Sequence, residues 1–334
     1  MRAARLVGFG DPPRFELANV PDPAPGPGEV IVDLQAAALN RRDWWIWTTP
    51  GYCPLPVTLG SDGAGVVSAV GASVSGLAPG DEVVFDPTLH WGDSEECPSP
   101  EFDILGAPTA GTFAERVAVP AHNVSPKPAR LTWEEAAALN LGGLTAWRAV
   151  VTCGRAGPGR RLVITGAGGG VATFAVQIAV ALGARVYVTS SSERKLESAR
   201  ALGATGGVSY RDPDWPEQLR ELAGGGLDAA IDSFGGSSWE GSLRALRTGG
   251  TVVSFGDTAG AETTLTTAEV YWQWRRVVGT SMGSPREYRA LLGHVENASW
   301  RPVIDTAFAL DRIDEAVRRL VCNERYGKVV LRIA

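Results

Sequence analysis

Residues 162–195, LVITGAGGGVATFAVQIAVALGARVYVTSSSERK, decide the fold. Four residues of buried-strand type, 162–165, run into a glycine-rich turn, which opens an apolar helical segment ending at Gly183; a second strand follows over 185–189. This order is a βαβ unit of the dinucleotide-binding kind. At such a turn the backbone must approach a pyrophosphate closely and the first helical N–H groups must point at it, so side chains there would obstruct binding. Gly166, Gly168, Gly169 and Gly170 remove that obstruction. The literal spacing G-x-G-x-x-G is not met, because Val171 stands five after Gly166; Gly166, Gly169 and Ala172 fit small-x-x-Gly-x-x-small instead. A tight glycine turn without a ligand is the alternative.

Beyond the turn come strand candidates at 206–210, 227–233, 251–255 and 277–281, alternating with helices such as 215–223 and 239–247. That alternation predicts α/β architecture with a parallel, doubly wound sheet. The first 120 residues differ: short β-type runs at 4–8, 15–20, 29–39, 63–70, 82–85 and 113–119, punctuated by Gly and Pro, read as a partly barrel-like β domain. Thr132 and Glu135 have capping-box spacing before an apolar run, and a second helical segment is expected around 144–152. In the tail a helix at 285–295, a β-like run at 303–309 and a helix at 313–322 precede a closing strand at 328–333. That strand most easily joins the N-terminal β domain, so the expected division is 1–128, 129–284 and a return over 285–334.

The 334 residues carry a formal charge of −6 without long Lys or Arg runs, which argues against a nucleic-acid surface or a basic membrane-binding face. The four cysteines lie far apart with no C-x-x-C pair and read as reduced thiols. MRAARLVGFGDPP lacks the apolar run of a signal peptide, and no stretch is suited to spanning a bilayer, so a cytoplasmic location is expected.

Six phrases stand in register: PGPGEVIVDLQAAALNRRD, LGSDGAGVVSAVGASVSGLAPGDEVVF, GTFAERVAVP, LGGLTAWRAV, the glycine turn and YGKVVL. Together they resemble the medium-chain dehydrogenase/reductase superfamily over nearly the whole chain, and within it the zinc-independent quinone-oxidoreductase-like group. The resemblance implies a Rossmann domain plus a discontinuous, β-rich GroES-like catalytic domain. Where the zinc enzymes of the family carry a Cys ligand this sequence has Asn40, and where they carry G-H-E it has Gly60-Ser61-Asp62. Asn and Ser are poor zinc ligands. Residues 86–111 contain only Cys97 of the four thiols of a structural zinc lobe. Asp43, Asp62, His90 and Cys97 match no local ligand spacing, and no metal is expected.

An acidic residue at the end of the second strand would accept hydrogen bonds from a ribose 2′-hydroxyl and repel a 2′-phosphate. Here Ser190-Ser191-Ser192 stand there, with Arg194 and Lys195 just beyond, which suits NADPH. Glu193 opposes this, but its spacing from Ser190 suggests a capping box that would turn it back to the backbone. By resemblance, Lys195 and Tyr210 lie near the 2′-phosphate. The resemblance also puts Ser233, Phe255, Gly256, Met282 and Gly283, at the ends of the fourth to sixth strands, near the nicotinamide, with Thr145, Asn323 and Lys328.

Opposite that wall the β domain contributes Asn40, Asp43 and Tyr52 as reacting groups, of which Tyr52 and Asn40 match active-site positions by the resemblance; Trp45 and Trp47 either fill a β-rich core or form a flat apolar slot of the substrate pocket, and Trp272 lines either its entrance or an interface between subunits. A carbonyl or quinone that accepts hydride builds negative charge on oxygen, which a phenol or an amide can stabilise. The reading is an NADPH-dependent, zinc-independent reductase of a small-molecule electrophile, a quinone or an α,β-unsaturated carbonyl. A zinc-type alcohol dehydrogenase or carbonyl reductase and a non-enzymatic NADPH-binding sensor are the rivals. The exposed edge expected at 277–281 predicts a homodimer.

Overall fold

The computed structural model describes residues 1–333. The chain forms two compact units, residues 1–144 with the described residues from 284 onward, and residues 145–283. The first division therefore falls inside a helix rather than at 128.

The first unit begins with β1 (Arg2–Gly8), β2 (Arg14–Asn19), β3 (Glu29–Ala38), α1 (Arg41–Trp47), β4 (Val57–Thr58) and β5 (Asp62–Val70). It continues with β6 (Glu82–Phe85), β7 (Thr88–Leu89), β8 (Asp103–Ile104), β9 (Arg116–Pro120), β10 (Val124–Pro126) and α2 (Trp133–Trp147). Thr132 and Glu135 cap α2 as their spacing predicts: Glu135 N–H donates to Thr132 Oγ1 at 3.2 Å, and Thr132 N–H to the Glu135 carboxylate at 3.0 Å. The two helical segments expected on either side of Gly142-Gly143 are one, α2 continuing into a wider turn over Arg148–Cys153. A Cβ on Gly143 would come within 2.9 Å of Leu139 and 3.1 Å of Leu291, so this glycine answers a packing need and does not break the helix.

The second unit holds β11 (Arg161–Ile164), α3 (Gly170–Ala181), β12 (Arg185–Ser190), α4 (Glu193–Ala201), β13 (Gly206–Ser209) and α5 (Trp215–Leu222). Then come β14 (Leu227–Asp232), α6 (Ser237–Ala245), β15 (Leu246–Ser254), α7 (Thr267–Tyr271) and β16 (Arg276–Gly279). The strands are parallel in the order β13-β12-β11-β14-β15-β16, a doubly wound sheet whose order reverses beside β11. Every residue of β14 is buried, as a strand covered on both faces requires.

The chain then returns through α8 (Pro285–Asn297), β17 (Ile304–Ala309), α9 (Ile313–Val321) and β18 (Lys328–Arg332). The closing strand does join the N-terminal sheet: β18 runs antiparallel to β3, Val330 opposite Ala38, and parallel to β17. The sheet order is β10-β6-β5-β3-β18-β17, with β9 also on β3. Its core is made by side chains such as Leu6, Leu34, Trp47, Phe85, Phe113 and Leu331, and each such burial stabilises by about 1.5–3 kcal/mol. No helix among the described residues is long and apolar enough to cross a membrane.

Candidate functional site

In the second unit the glycine turn joins β11 to α3. Gly166 has φ +70°, and a Cβ there would lie 2.1 Å from the Phe234 ring, so both backbone and space demand glycine. Gly169 precedes the first turn of α3 with extended backbone, and no side chain caps the helix, whose first N–H groups remain for another acceptor. Ala167 N–H donates to Thr189 O at 3.0 Å, tying the turn to the end of β12. Asp232, at the end of β14 and fully buried, accepts from the N–H groups of Phe234 and Gly235 at 3.0 and 2.8 Å and from Ser238 Oγ at 2.5 Å. It fixes the loop that lays Phe234 on Gly166. Tyr210 stands 6.1 Å from the Phe234 ring. Gly166, Tyr210 and Phe234, with Thr165, Thr189 and Ser238, line a cavity of about 230 Å³. Phe234, Asp232 and Ser238 were not among the expected site residues; an aspartate closing the apolar run LDAAID is the signal for them.

At the end of β12, Ser190 is buried and its Oγ accepts from Ser192 N–H at 3.2 Å. Ser192, not Ser190, precedes α4 as its N-cap residue, and Glu193 pairs with Arg200 at 2.9 Å. The expected capping box is therefore absent: α4 begins two residues later than that spacing assumed, and Glu193 is held along the helix. Ser191 and Lys195 are half-buried, and Arg194 is exposed. The Lys195 stem and ammonium lie over the glycine turn, where a Cβ on Gly168 would meet its Cδ at 2.7 Å and its Nζ at 2.9 Å.

Other expected residues also meet at the strand ends. Phe255 N–H donates to Asp232 O at 3.0 Å, and a Cβ on Gly256 would lie 2.7 Å from Ser233 O. Thr145 Oγ1 reaches Met282 Sδ at 4.0 Å, Met282 being buried with φ +55° beside Gly283. Trp272 is 73% exposed just after α7.

In the first unit the side chains of Asn40, Asp62 and Lys328 form a buried polar triangle. Lys328 Nζ donates to Asn40 Oδ1 at 2.5 Å and to Asp62 Oδ2 at 2.8 Å, and Asn40 Nδ2 donates to Asp62 Oδ2 at 2.9 Å. Leu141 N–H donates to Asp62 Oδ1 at 2.7 Å. Asp43 Oδ2 accepts from Asn40 N–H at 2.7 Å, tying the start of α1. Burial pushes the Asp43 carboxyl up to about 6, against the pull of the Asn40 N–H, Arg42 and Lys328. Ser61 Oγ donates to Leu105 O at 2.6 Å. Among the described residues no three His, Cys, Asp or Glu side chains come together so as to hold a metal ion.

Several expectations change here. Asp43 is wholly buried and serves the start of α1 rather than facing a substrate. Lys328, expected beside the cofactor, is buried and spends its ammonium on Asn40 and Asp62; Asn323 is exposed. Trp47 fills the core, edge-on to Phe15 at 6.1 Å, and so cannot line a pocket. Trp45 and Tyr52 are exposed, in edge contact at 4.8 Å, and offer an aromatic surface with a phenol.

Two family models match the chain, an alcohol dehydrogenase GroES-like domain over residues 26–129 and a zinc-binding dehydrogenase domain over residues 170–297. A zinc-type alcohol dehydrogenase-like protein of Schizosaccharomyces pombe is 35% identical over 319 residues, covering 92% of this chain and 91% of that protein. The crystal structure of an NAD-dependent alcohol dehydrogenase, 41% identical, superposes with a TM-score of 0.94 over 100% of both chains. The 2-octenoyl-CoA carboxylase reductase CinF, solved with NADP and 2-octenoyl-CoA, is 26% identical with a TM-score of 0.89, over 99% of this chain and 87% of that one. With its doubly wound sheet, GroES-like unit and glycine turn, this chain belongs to the medium-chain dehydrogenase/reductase superfamily, whose members use nicotinamide cofactors, and it is an oxidoreductase.

Proposed function

We propose that the protein is an NADPH-dependent reductase that transfers hydride to a quinone or an α,β-unsaturated carbonyl without a catalytic zinc. The observation that carries this reading is the donor set around Asp62. A catalytic zinc needs three thiolate, imidazole or carboxylate donors and an open position. Here an amide, a hydroxyl committed to Leu105 O and a carboxylate committed to Lys328 stand instead. These residues do not fit zinc.

The second unit does fit a dinucleotide. The turn at Gly166 lacks room for a Cβ, and the first N–H groups of α3 suit a pyrophosphate. Ser190 and Ser191 offer hydroxyls where an acidic residue would oppose a 2′-phosphate, and Lys195 adds a cation over the turn. Glu193, bound to Arg200, does not counter this. Related structures divide, one NAD-dependent and one holding NADP, so preference rests on these side chains rather than on overall likeness. When bound, NADPH supplies hydride to an electrophilic carbon. Tyr52 would offer a phenolic donor to an oxygen on which charge builds, and Trp45, in edge contact with it, an apolar face. The conjugated acyl group of 2-octenoyl-CoA in CinF supports the enone class. A cytoplasmic location and a homodimer formed along β16 belong to the same reading.

The test is oxidation of NADPH and NADH by the purified protein with quinones, enones and aldehydes, and the reverse reaction with alcohols, in EDTA and in added zinc. The expected result is activity that survives EDTA, with KM for NADPH at least about tenfold below that for NADH, which is about 1.4 kcal/mol. Chelator-sensitive activity restored by zinc, or preference for NADH, overturns it; turnover confined to alcohols favours an alcohol dehydrogenase.

A further inference from the structure

We propose that the Lys328 ammonium is a built-in cation for the Asn40–Asp62 pair, and that Lys328 is the positioning residue that holds α1 and its aromatic face in place. This inference rests on the zinc-free reading of the same residues. The Lys328 side chain is 3% exposed and that of Asp62 is fully buried. A buried ammonium persists only where opposite charge and hydrogen bonds offset its lost hydration. Here two acceptors face it, Asn40 Oδ1 and Asp62 Oδ2, and the amide of Asn40 closes the triangle on the same carboxylate oxygen. The other oxygen of Asp62 is satisfied by Leu141 N–H. The ammonium and the Asp62 carboxylate together thus fasten four segments: the residue before α1, the first residue of β5, the middle of α2 and the first residue of β18.

The two acceptors face the place that the Lys328 ammonium fills. If Lys328 is shortened, the carboxylate and the amide oxygen remain, the space of the lost side chain opens beside them, and the missing group is a primary ammonium. The vacated place should therefore bind small alkylammonium ions that can donate hydrogen bonds. Asn40 immediately precedes α1, which carries Trp45 against Tyr52 at 4.8 Å. Loss of the ammonium should loosen that helix and weaken use of the electrophile more than use of NADPH.

The experiment compares Lys328→Ala, Lys328→Met and Lys328→Arg with the double variant Asp62→Asn/Lys328→Met, in the full chain. Lys328→Met is expected to lower Tm on the order of 10 °C, as when one partner of a buried pair is removed. Lys328→Arg should lose less. In the double variant the amide placed at position 62 keeps an acceptor for Leu141 N–H, and once the Asn40 amide turns over, with no ammonium left to hold its Oδ1, that oxygen accepts from the new amide N–H, so more than half of the lost Tm should return. Methylammonium to propylammonium should raise the Tm of Lys328→Ala saturably and lower its KM for the electrophile, while tetramethylammonium and sodium do neither. A Lys328→Met protein as stable as the parent, equal response to tetramethylammonium, or no recovery in the double variant overturns the proposal. Stoichiometric zinc and chelator-sensitive turnover in the parent protein would instead refute the zinc-free reading, whatever the Lys328 variants do.

Discussion

Gly166 combines a left-handed backbone with the Phe234 ring against its α-carbon, so Gly166→Ala has neither a relaxed φ nor room. The substitution is expected to weaken binding of the nicotinamide cofactor at least about tenfold, read by fluorescence titration, and to lower Tm. Lys195→Ser tests cofactor choice at the same turn: KM for NADPH should rise about tenfold while that for NADH stays within about twofold, since only one of them carries the extra phosphate. Asp86 gives a pH signature. It is buried, accepts from Thr88 N–H at 2.9 Å, and leaves Oδ2 without a partner; burial pushes its carboxyl up to about 7, against the pull of Thr88 and Arg289. Folding therefore favours the protonated form. Its contribution is intact below the unfolded value near 4, is lost as pH rises toward 7, and amounts to at most about 4 kcal/mol. Asp86→Asn is expected to gain on the parent in urea unfolding at pH 8 and to converge with it near pH 4.

Helix α1 is the element least legible in the sequence, although its signal was present. Asn40 and Asp43 stand three apart before an apolar run, as helix-starting residues do, yet the same residue types also suggest chemistry. The folded chain spends Asp43 on the Asn40 N–H. Asp43→Asn is accordingly expected to leave kcat within about twofold, whereas loss of a general acid or base would cost about 100-fold or more; steady-state kinetics at pH 7 separate the two. The sheet from β11 to β16 is legible because most of its strands are local apolar runs that alternate with helices, so pattern and topology coincide. Strands β4, β7, β8 and β10 have only two or three residues, too few for any periodicity to appear. The Asn40–Asp62–Lys328 triangle depends on residues 288 positions apart, which no local pattern encodes. The glycine turn is readable from its place between an apolar strand and an apolar helix, but Phe234 on Gly166 depends on where the loop after β14 is held by Asp232.

At the scale of the whole molecule, β16 is an edge of its parallel sheet, with Val277 43% exposed. Such an edge offers unpaired backbone groups, which a second copy of the chain can satisfy. Light scattering should report a dimer, and Val277→Lys should shift it toward monomer with turnover reported alongside; a monomeric parent protein would remove the edge-pairing argument. The seven-stranded sheet carries a different demand. Its strand β18 lies between β3 and β17, pairing Val330 with Ala38. During synthesis, β3 leaves the ribosome long before that neighbour exists, while every strand of the second unit has been made by residue 279. The second unit can therefore mature on the nascent chain, whereas the first waits with an open seam, and Asp62 waits for the ammonium that will neutralise it. A polypeptide halted before residue 328 would keep both the seam and a carboxylate without its counter-charge, a state that chaperones and proteases can tell from the finished enzyme.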